Sequence, residues 1–152
     1  NERERPGIGI WQWNPASGAL KTIQNAVTYP DNFNGNITTS AVQVTPDGRF
    51  VYISNRDITN RQARTGEDSI VGFSVDAQTG RLKKIGHFPC EHVPRSFTVS
   101  ESGKYLFVAG QMDDHLGVYS VDRKTGILKR LKQYPTGVRP SWVHCMTPPA
   151  EK

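Results

Sequence analysis

The stretch that decides the fold is residues 45–56, Thr45-Pro46-Asp47-Gly48-Arg49-Phe50-Val51-Tyr52-Ile53-Ser54-Asn55-Arg56. A second copy of the pattern is Ser100-Glu101-Ser102-Gly103-Lys104-Tyr105-Leu106-Phe107-Val108-Ala109-Gly110-Gln111. Each copy has a turn ending in Gly, then a basic residue, then aromatic and β-branched residues, which prefer a pleated sheet to a helix. Gly suits a turn position that requires positive φ. We therefore predict a tight turn and a buried strand at both places, with Arg56 or Gln111 delivered to the rim of a sheet.

Three further turns share another pattern. Each begins with Asn or Asp and has Gly four residues later, and the three turns are residues 14–20, 76–82 and 122–128. An Asn or Asp side chain can hydrogen-bond the backbone two residues on, and Gly then takes the left-handed conformation before the next strand. Because strand-like runs lie on both sides of each turn, we predict three hairpins.

A repeat of 46 residues organises the second half of the chain. Gly126 follows Gly80 by 46 residues, and Pro140 follows Pro94 by the same distance. This length holds four short strands, which is the size of a β-propeller blade. We therefore predict an all-β fold, namely a partial β-propeller with two complete and two partial four-stranded blades. An open two-sheet sandwich is the alternative.

The predicted organisation is one propeller domain at residues 1–147 and a tail at 148–152. A first partial blade covers residues 7–29, complete blades cover 40–89 and 95–135, and a closing strand covers 141–146. Because propellers have at least about four blades, these parts do not close a ring. We expect the chain, which does not begin with Met, to be part of a longer protein. Its missing blades or another copy are then needed to cover the open sheet edges.

Composition argues against several classes of protein. The mean hydropathy is −0.55, and no apolar run approaches the ~18 residues of a membrane span. We expect no membrane partner and a cytoplasmic location, with export left open. The net charge of +5 is spread along the chain, apart from Lys129, Arg130 and Lys132, so we expect no nucleic-acid partner. Cys90 and Cys145 lack metal-type spacing and are interpreted as ordinary thiols.

Successive loops of an up-and-down sheet alternate between its two ends, so the short turns fall at one end and the longer, irregular loops at the other. Irregular loops on a rigid sheet are where function concentrates. Arg56 and Gln111 end inner strands and Arg95 begins an innermost strand, so we expect these three near the propeller axis. The side chains predicted at this end are Arg56, Asp57, Arg61, Arg64, Glu67, Asp68, His92, Arg95, Gln111, Asp113, Asp114, His115 and Arg139.

Two arginines beside a funnel suit an oxyanion or a phosphate, because guanidinium stays charged and offers a planar fork of donors. A solvated or salt-bridging role is the alternative for each. His92 with the run Asp113-Asp114-His115 matches no metal-ligand spacing, so we predict no metal and no cofactor. His87 and His144 are expected to pack or to face solvent. No phosphate loop, nucleophile elbow or Cys/His pair is recognisable.

Several motifs resemble, in their order along the chain, the lactonase family of seven-bladed propellers. The later motifs are similar in particular to the bacterial 6-phosphogluconolactonase branch, and carboxy-cis,cis-muconate cyclase is a relative. The resemblance covers nearly the whole chain but only the C-terminal portion of the family. The motifs are residues 45–56, Asp68-Ser69-Ile70, residues 76–82, Pro94-Arg95-Ser96-Phe97, Ser102-Gly103-Lys104-Tyr105-Leu106, Ala109-Gly110-Gln111 and Pro140-Ser141-Trp142-Val143.

By this resemblance, Arg56 matches the arginine of the family's Ser-Asn-Arg motif and is the expected catalytic residue, stabilising an oxyanion. Arg95 and Gln111 match positions that line the same cleft in the family. The expected substrate-binding residues are these two together with His92 and His115 from the loops at the same end. The family's His and Glu partners are expected in earlier blades that this chain lacks. Thr45 replaces a His that is common before Pro-Asp-Gly, and the insertion at residues 58–66 is longer than is usual in the family.

The implied function is hydrolysis of a sugar lactone by a complete propeller, with 6-phospho-D-glucono-1,5-lactone converted to 6-phosphogluconate in the pentose phosphate pathway. The expected partner is therefore a small anionic or sugar lactone. This fragment alone is expected to have little or no turnover. The alternatives are a non-catalytic binding scaffold, because fold does not settle function, and a muconate-type cyclase or lyase.

Overall fold

The computed structural model describes residues 7–31, 33, 35–59 and 68–146. Within these ranges the regular structure is ten β-strands, and no helix there could cross a membrane. The strands are β1 (Gly7–Trp13), β2 (Leu20–Val27), β3 (Ile37–Val44), β4 (Phe50–Asp57), β5 (Ser69–Val75), β6 (Leu82–Pro89), β7 (Pro94–Val99), β8 (Tyr105–Gly110), β9 (His115–Val121) and β10 (Leu128–Pro135).

The strands form one two-stranded and two four-stranded antiparallel sheets. Neighbours in each sheet follow chain order, as β1-β2, β3-β4-β5-β6 and β7-β8-β9-β10. Strand β7 contacts both β3 and β4, so the inner strands of the two complete sheets lie together, as they do in adjacent propeller blades. The prediction of an all-β, partial β-propeller is confirmed.

Strand β4 explains how the sheets stack, because alternate side chains of a strand point to opposite faces. Val51 and Ile53 pack with Ile8 and Ile10 of β1. Phe50 and Tyr52 lie in a separate core cluster with residues of β7, β8 and β9. The β3–β6 sheet is therefore covered by β1 and β2 on one face and by the β7–β10 sheet on the other.

The predicted turns form with the expected glycine conformation. Gly48 and Gly103 have φ values of 71° and 66°, and each donates its N–H to the residue three positions earlier at 2.8 Å. In the first turn, Thr45 Oγ1 donates to Asp47 Oδ1 at 2.7 Å. This bond, with those from Arg49, lowers the pKa of Asp47 to about 2, so the carboxylate stays charged and keeps accepting these bonds.

The 46-residue repeat is visible in backbone details. Cys90 N donates to Asp68 O at 3.2 Å, and one repeat later Thr136 N donates to Asp114 O at 2.8 Å. The residue before the repeated proline has positive φ in both copies, 53° at Val93 and 55° at Arg139. The second copy therefore reproduces the way in which the chain enters an innermost strand.

The predicted closing strand does not form in this chain alone, because residues 141–146 are described and have no strand structure. A strand is held by a ladder of bonds to a neighbour, and the next strand of that blade is not part of the chain. Instead, Val143 N donates to the side-chain Oγ of Ser96 at 3.2 Å. The predicted tail at 148–152, most of the insertion at 58–66, and Arg61, Arg64 and Glu67 lie outside the described residues.

Candidate active site

Arg95 lies on a β-bulge at the start of β7. Pro94 pairs with Gly110 of β8, and Ser96 pairs with the next residue, Ala109. Arg95, which lies between them, therefore has no pairing partner on β8. Strand β3 has a similar register shift after Thr39, and Ser40 Oγ in this irregular part donates to Arg95 O at 2.8 Å. Bulges re-aim side chains and are frequent beside active sites. This hydrogen bond joins the irregular segments of β3 and β7 at Arg95, whose side chain is exposed.

Arg56 is near the end of β4, where it pairs in register with Thr38 of β3. Its Nη2 donates to Thr39 O at 3.2 Å, and the residue is partly buried. The next residue, Asp57, is held through its backbone N–H, which donates to Asp68 Oδ1 at 3.0 Å. The end of β4 is therefore tied to both neighbouring strands, which limits how far Arg56 can move.

A cleft with a volume of about 660 Å³ contains both arginines. It is lined by residues 39–43 of β3, residues 95–98 of β7, residues 141–144 and Arg56. None of these described lining residues is acidic. Two guanidinium groups that line one cleft favour an anionic ligand, because each stays charged and offers several donors. The structure thus brings together the two arginines predicted from the ends of inner strands.

His144 is a cleft residue that the sequence did not indicate. It is exposed and lies in the segment lining the cleft. From the sequence we predicted a residue within a strand that packs or faces solvent, with no part in a cleft. The signal that could have found it is its position four residues after Pro140 in the repeat, since the equivalent Thr98 also lines the cleft. The two ring nitrogens of a His can donate or accept hydrogen bonds.

His92 is buried rather than presented to the cleft. Its side chain is 8% exposed, and its Nδ1 lies 2.5 Å from Asp68 Oδ2, so an Nδ1–H donates to the carboxylate. Its backbone N–H donates to Asp113 Oδ2 at 3.0 Å. His92 does not line the cleft that holds Arg56 and Arg95. Its predicted role in binding substrate stays a prediction, and its observed contacts are those of a residue that holds a loop.

Gln111 and His115 also lie outside the lining of this cleft. Gln111 follows β8, and its backbone N–H donates to Val93 O at 3.1 Å. The imidazole of His115 bonds through Nδ1 to the backbone oxygen of Asp113. Among the described residues, no three His, Cys, Asp or Glu side chains come together as a metal site. The substrate-binding roles of Gln111 and His115 remain predictions.

Glu91 is the charged group that sequence reasoning missed. Its side chain has no exposed surface and pairs with Arg130 at 2.5 Å, and Tyr119 Oη donates to it at 2.9 Å. Burial raises the pKa of Glu91, against the opposing effects of the Tyr119 hydrogen bond and the Arg130 charge. No local motif marks such a residue, because its partners are 28 and 39 positions away.

Comparison with known proteins identifies the family of the chain. A family model described as "Lactonase, 7-bladed beta-propeller" matches residues 6–145. The chain belongs to this lactonase family.

Similar proteins include two that are named 6-phosphogluconolactonase. The protein from Serratia proteamaculans is 33% identical over 136 residues, which cover 90% of this chain and 38% of that protein. The protein from Pectobacterium carotovorum is 34% identical, with the same two coverages.

Solved structures of similar proteins share the fold. The Pseudomonas aeruginosa periplasmic gluconolactonase superposes with a TM-score of 0.79 at 26% identity, covering 91% of this chain and 36% of that one. A protein from Lactobacillus plantarum gives a TM-score of 0.80 at 23% identity, covering 92% of this chain and 38% of that one. This lactonase-family chain therefore spans a little over a third of the length of the proteins it matches.

Proposed function

We propose that a protein containing this chain hydrolyses a sugar lactone, with 6-phospho-D-glucono-1,5-lactone as the substrate and 6-phosphogluconate as the product. The observation that carries the proposal is the cleft that Arg56 and Arg95 line together. Relatives that cover most of this chain are named 6-phosphogluconolactonase, which supports the choice of substrate.

Arg56 is assigned to the oxyanion that forms when water attacks the ring carbonyl. Its guanidinium is held by Thr39 O, so the donor is already oriented before the reaction, which is what electrostatic stabilisation of a transition state requires. Arg95 is assigned to the substrate phosphate or hydroxyl groups, because an exposed arginine on a bulge can offer two parallel donors. The general base that activates water is assigned to blades outside this chain.

The remaining blades are also proposed to cover the open sheets. Among the described residues, the β1–β2 sheet has two strands, and residues 141–146 form no strand. A second copy of the chain is the alternative cover. We predict a cytoplasmic location, although a similar protein from Pseudomonas aeruginosa is named as periplasmic. Secretion of the active protein would contradict that location without affecting the proposed reaction.

The test replaces Arg56 in an active protein that contains this chain. We expect Arg56→Ala to lower kcat for 6-phosphogluconolactone by 10²-fold or more, since loss of an oxyanion donor typically costs about 10²- to 10³-fold. Hydrolysis is followed by a coupled assay of 6-phosphogluconate, with the spontaneous opening of the lactone subtracted. Arg81→Ala is the matched control, because Arg81 is exposed in a hairpin turn at the opposite end of the sheet.

Activity of Arg56→Ala within about twofold of wild type would contradict the assigned role, because that effect is far below the cost of a lost oxyanion donor. A wild-type protein that does not exceed the spontaneous rate would identify the propeller as a binding scaffold. A carboxymuconate substrate offered in a parallel assay separates the lactonase from a muconate-type cyclase.

A further inference from the structure

The loop between β6 and β7, residues 90–93, is buried along its whole length. Cys90 and Glu91 have no exposed surface, Val93 is 1% exposed and His92 is 6% exposed. Connecting segments usually run over the surface, and ionisable side chains are buried this completely only when they are paired. The partners of Glu91 and His92 therefore indicate what the loop does.

Glu91 binds to the sheet that carries Arg95. Its carboxylate accepts a bond from Tyr119 Oη on β9 at 2.9 Å and one from Arg130 Nη2 on β10 at 2.5 Å. Gly117 on β9 makes room for it, because a Cβ there would lie 2.2 Å from the Glu91 carboxylate. Glu91 thus anchors the loop to the β7–β10 sheet.

His92, the next residue, binds in the other direction, to the sheet that carries Arg56. Its Nδ1 lies 2.5 Å from Asp68 Oδ2, and Asp68 directly precedes β5. The second oxygen of the same carboxylate, Oδ1, accepts the backbone N–H of Asp57 at 3.0 Å. Asp57 is the neighbour of Arg56, so one buried carboxylate connects the loop before Arg95 with the strand end that carries Arg56.

The second copy of this loop lacks both side chains. Val93 has a φ of 53°, and its counterpart Arg139, 46 residues later, has a φ of 55°, so the loop takes the same backbone form in both copies. The residues equivalent to Glu91 and His92 in the second copy are Gly137 and Val138, and Val138 is 84% exposed. The buried pair occurs only in the copy that leads to Arg95.

Val93 shows how firmly the backbone of the loop is held. A β-branched residue with positive φ is a genuine conformational outlier, and such strain persists where surrounding bonds fix the backbone, often at functional sites. Here Val93 O accepts Gln111 N at 3.1 Å, and His92 O accepts Met112 N at 3.2 Å. The loop is therefore fixed by side chains and backbone two residues before Arg95.

We propose that Glu91 and His92 are positioning residues that hold Arg95 at a fixed place relative to Arg56 in the cleft, an inference that rests on the function proposed above. Glu91 fixes the loop to one blade and His92 fixes it to the other. A displacement of about 1 Å at a substrate-orienting group can cost about 10²-fold in rate. In this role both residues act through Arg95 rather than by touching substrate.

The test is a double-mutant cycle in an active protein that contains this chain. We expect His92→Ala to raise KM for 6-phosphogluconolactone about fivefold in the wild-type background, and less than about twofold when Arg95 is already Ala. A role limited to stability gives the same loss in both backgrounds. Equal effects of His92→Ala in the two backgrounds would therefore overturn the proposal.

Milder variants guard against loss of folding. His92→Asn keeps a donor for Asp68, and Glu91→Gln keeps an acceptor for Tyr119, so we expect KM for both to lie between wild type and the Ala variants. Val138→Ala, at the position equivalent to His92, is the matched control and should leave KM unchanged. If Glu91→Gln and His92→Asn lower the melting temperature yet leave KM at the wild-type value, the residues are structural only.

Failure of the proposed function has a different signature. If wild type does not hydrolyse the lactone above its spontaneous rate, the proposed reaction is wrong. The same four proteins of the cycle are then compared by their Kd for 6-phosphogluconate, measured by calorimetry. Non-additive losses of affinity for His92→Ala and Arg95→Ala would then still support the positioning role. Additive losses, or no binding by wild type, would overturn it.

Discussion

Tyr52 connects the two complete blades with a single buried hydrogen bond. It has no exposed surface, and its hydroxyl donates to Gly126 O at 2.8 Å across the interface between sheets. We expect Tyr52→Phe to keep the ring packing but to lower the free energy of unfolding by about 1 to 2 kcal/mol, because a buried carbonyl loses its donor. For a chain of this size that corresponds to a melting temperature lower by about 3 °C per kcal/mol.

The measurement is thermal unfolding followed by circular dichroism. Tyr105→Phe is the matched control, since Tyr105 is 43% exposed. An exposed hydroxyl can bond to water in both the folded and the unfolded protein, so its loss should change stability little. A Tyr52→Phe variant that melts with wild type would show that the inter-blade bond contributes nothing to stability.

At the same scale, the positions of some candidate site residues could be predicted from the sequence and those of others could not. Arg56 and Arg95 could be placed together because each lies at the end of an inner strand, and strand ends meet at one rim. His92 was predicted at the substrate, whereas it is directed to Asp68. In a loop without regular periodicity, the direction of a side chain depends on neighbours distant in sequence. Glu91 was missed for the same reason.

The turn at residues 45–48 is an element whose conformation depends on one glycine. Gly48 has a φ of 71°, and an added Cβ would meet nothing within 4 Å. We therefore expect Gly48→Ala to destabilise the protein by about 1 to 2 kcal/mol through backbone strain alone. Gly48→Asn should lose less, because Asn tolerates the left-handed conformation. Denaturant unfolding of the two variants, compared with wild type, is the measurement.

A steric explanation of the same turn makes the opposite prediction. If side-chain volume were the cause, Asn, which is larger than Ala, would be the more destabilising substitution at Gly48. An unchanged midpoint for Gly48→Ala would show that the hairpin can change to another turn at no cost.

A strand could be predicted where the local sequence favours a strand and a neighbouring strand is present to pair with it. Residues 50–57 combine β-branched and aromatic residues with neighbouring strands on both sides, and they form β4. Residues 141–146 carry the same kind of pattern as β7 but have no next strand to pair with, and no strand forms. Strand propensity alone does not decide the outcome, because a strand is stabilised by its cross-strand pairs.

Across the whole molecule, the three tryptophans mark the open ends of the partial propeller. Trp11 and Trp13 on β1 are 54% and 64% exposed, and Trp142, near the other end, is 80% exposed. Surfaces of this kind on a chain that spans about 38% of its relatives are expected to be covered by further blades. We predict that acrylamide quenches tryptophan fluorescence about twofold less in a complete propeller than in this chain alone, because covering an apolar patch excludes the quencher.

Variants that keep tryptophan at only one end of the partial propeller show which end is covered. Trp142→Phe leaves Trp11 and Trp13 to report on the β1–β2 edge, and the double variant Trp11→Phe, Trp13→Phe leaves Trp142 to report on the other. If further blades close the ring, quenching falls at both edges; a partner bound at one edge lowers it there alone. Equal quenching of the chain alone and of the complete protein at both edges would mean that these tryptophans face solvent in the intact molecule, and the proposed covering by blades would be wrong.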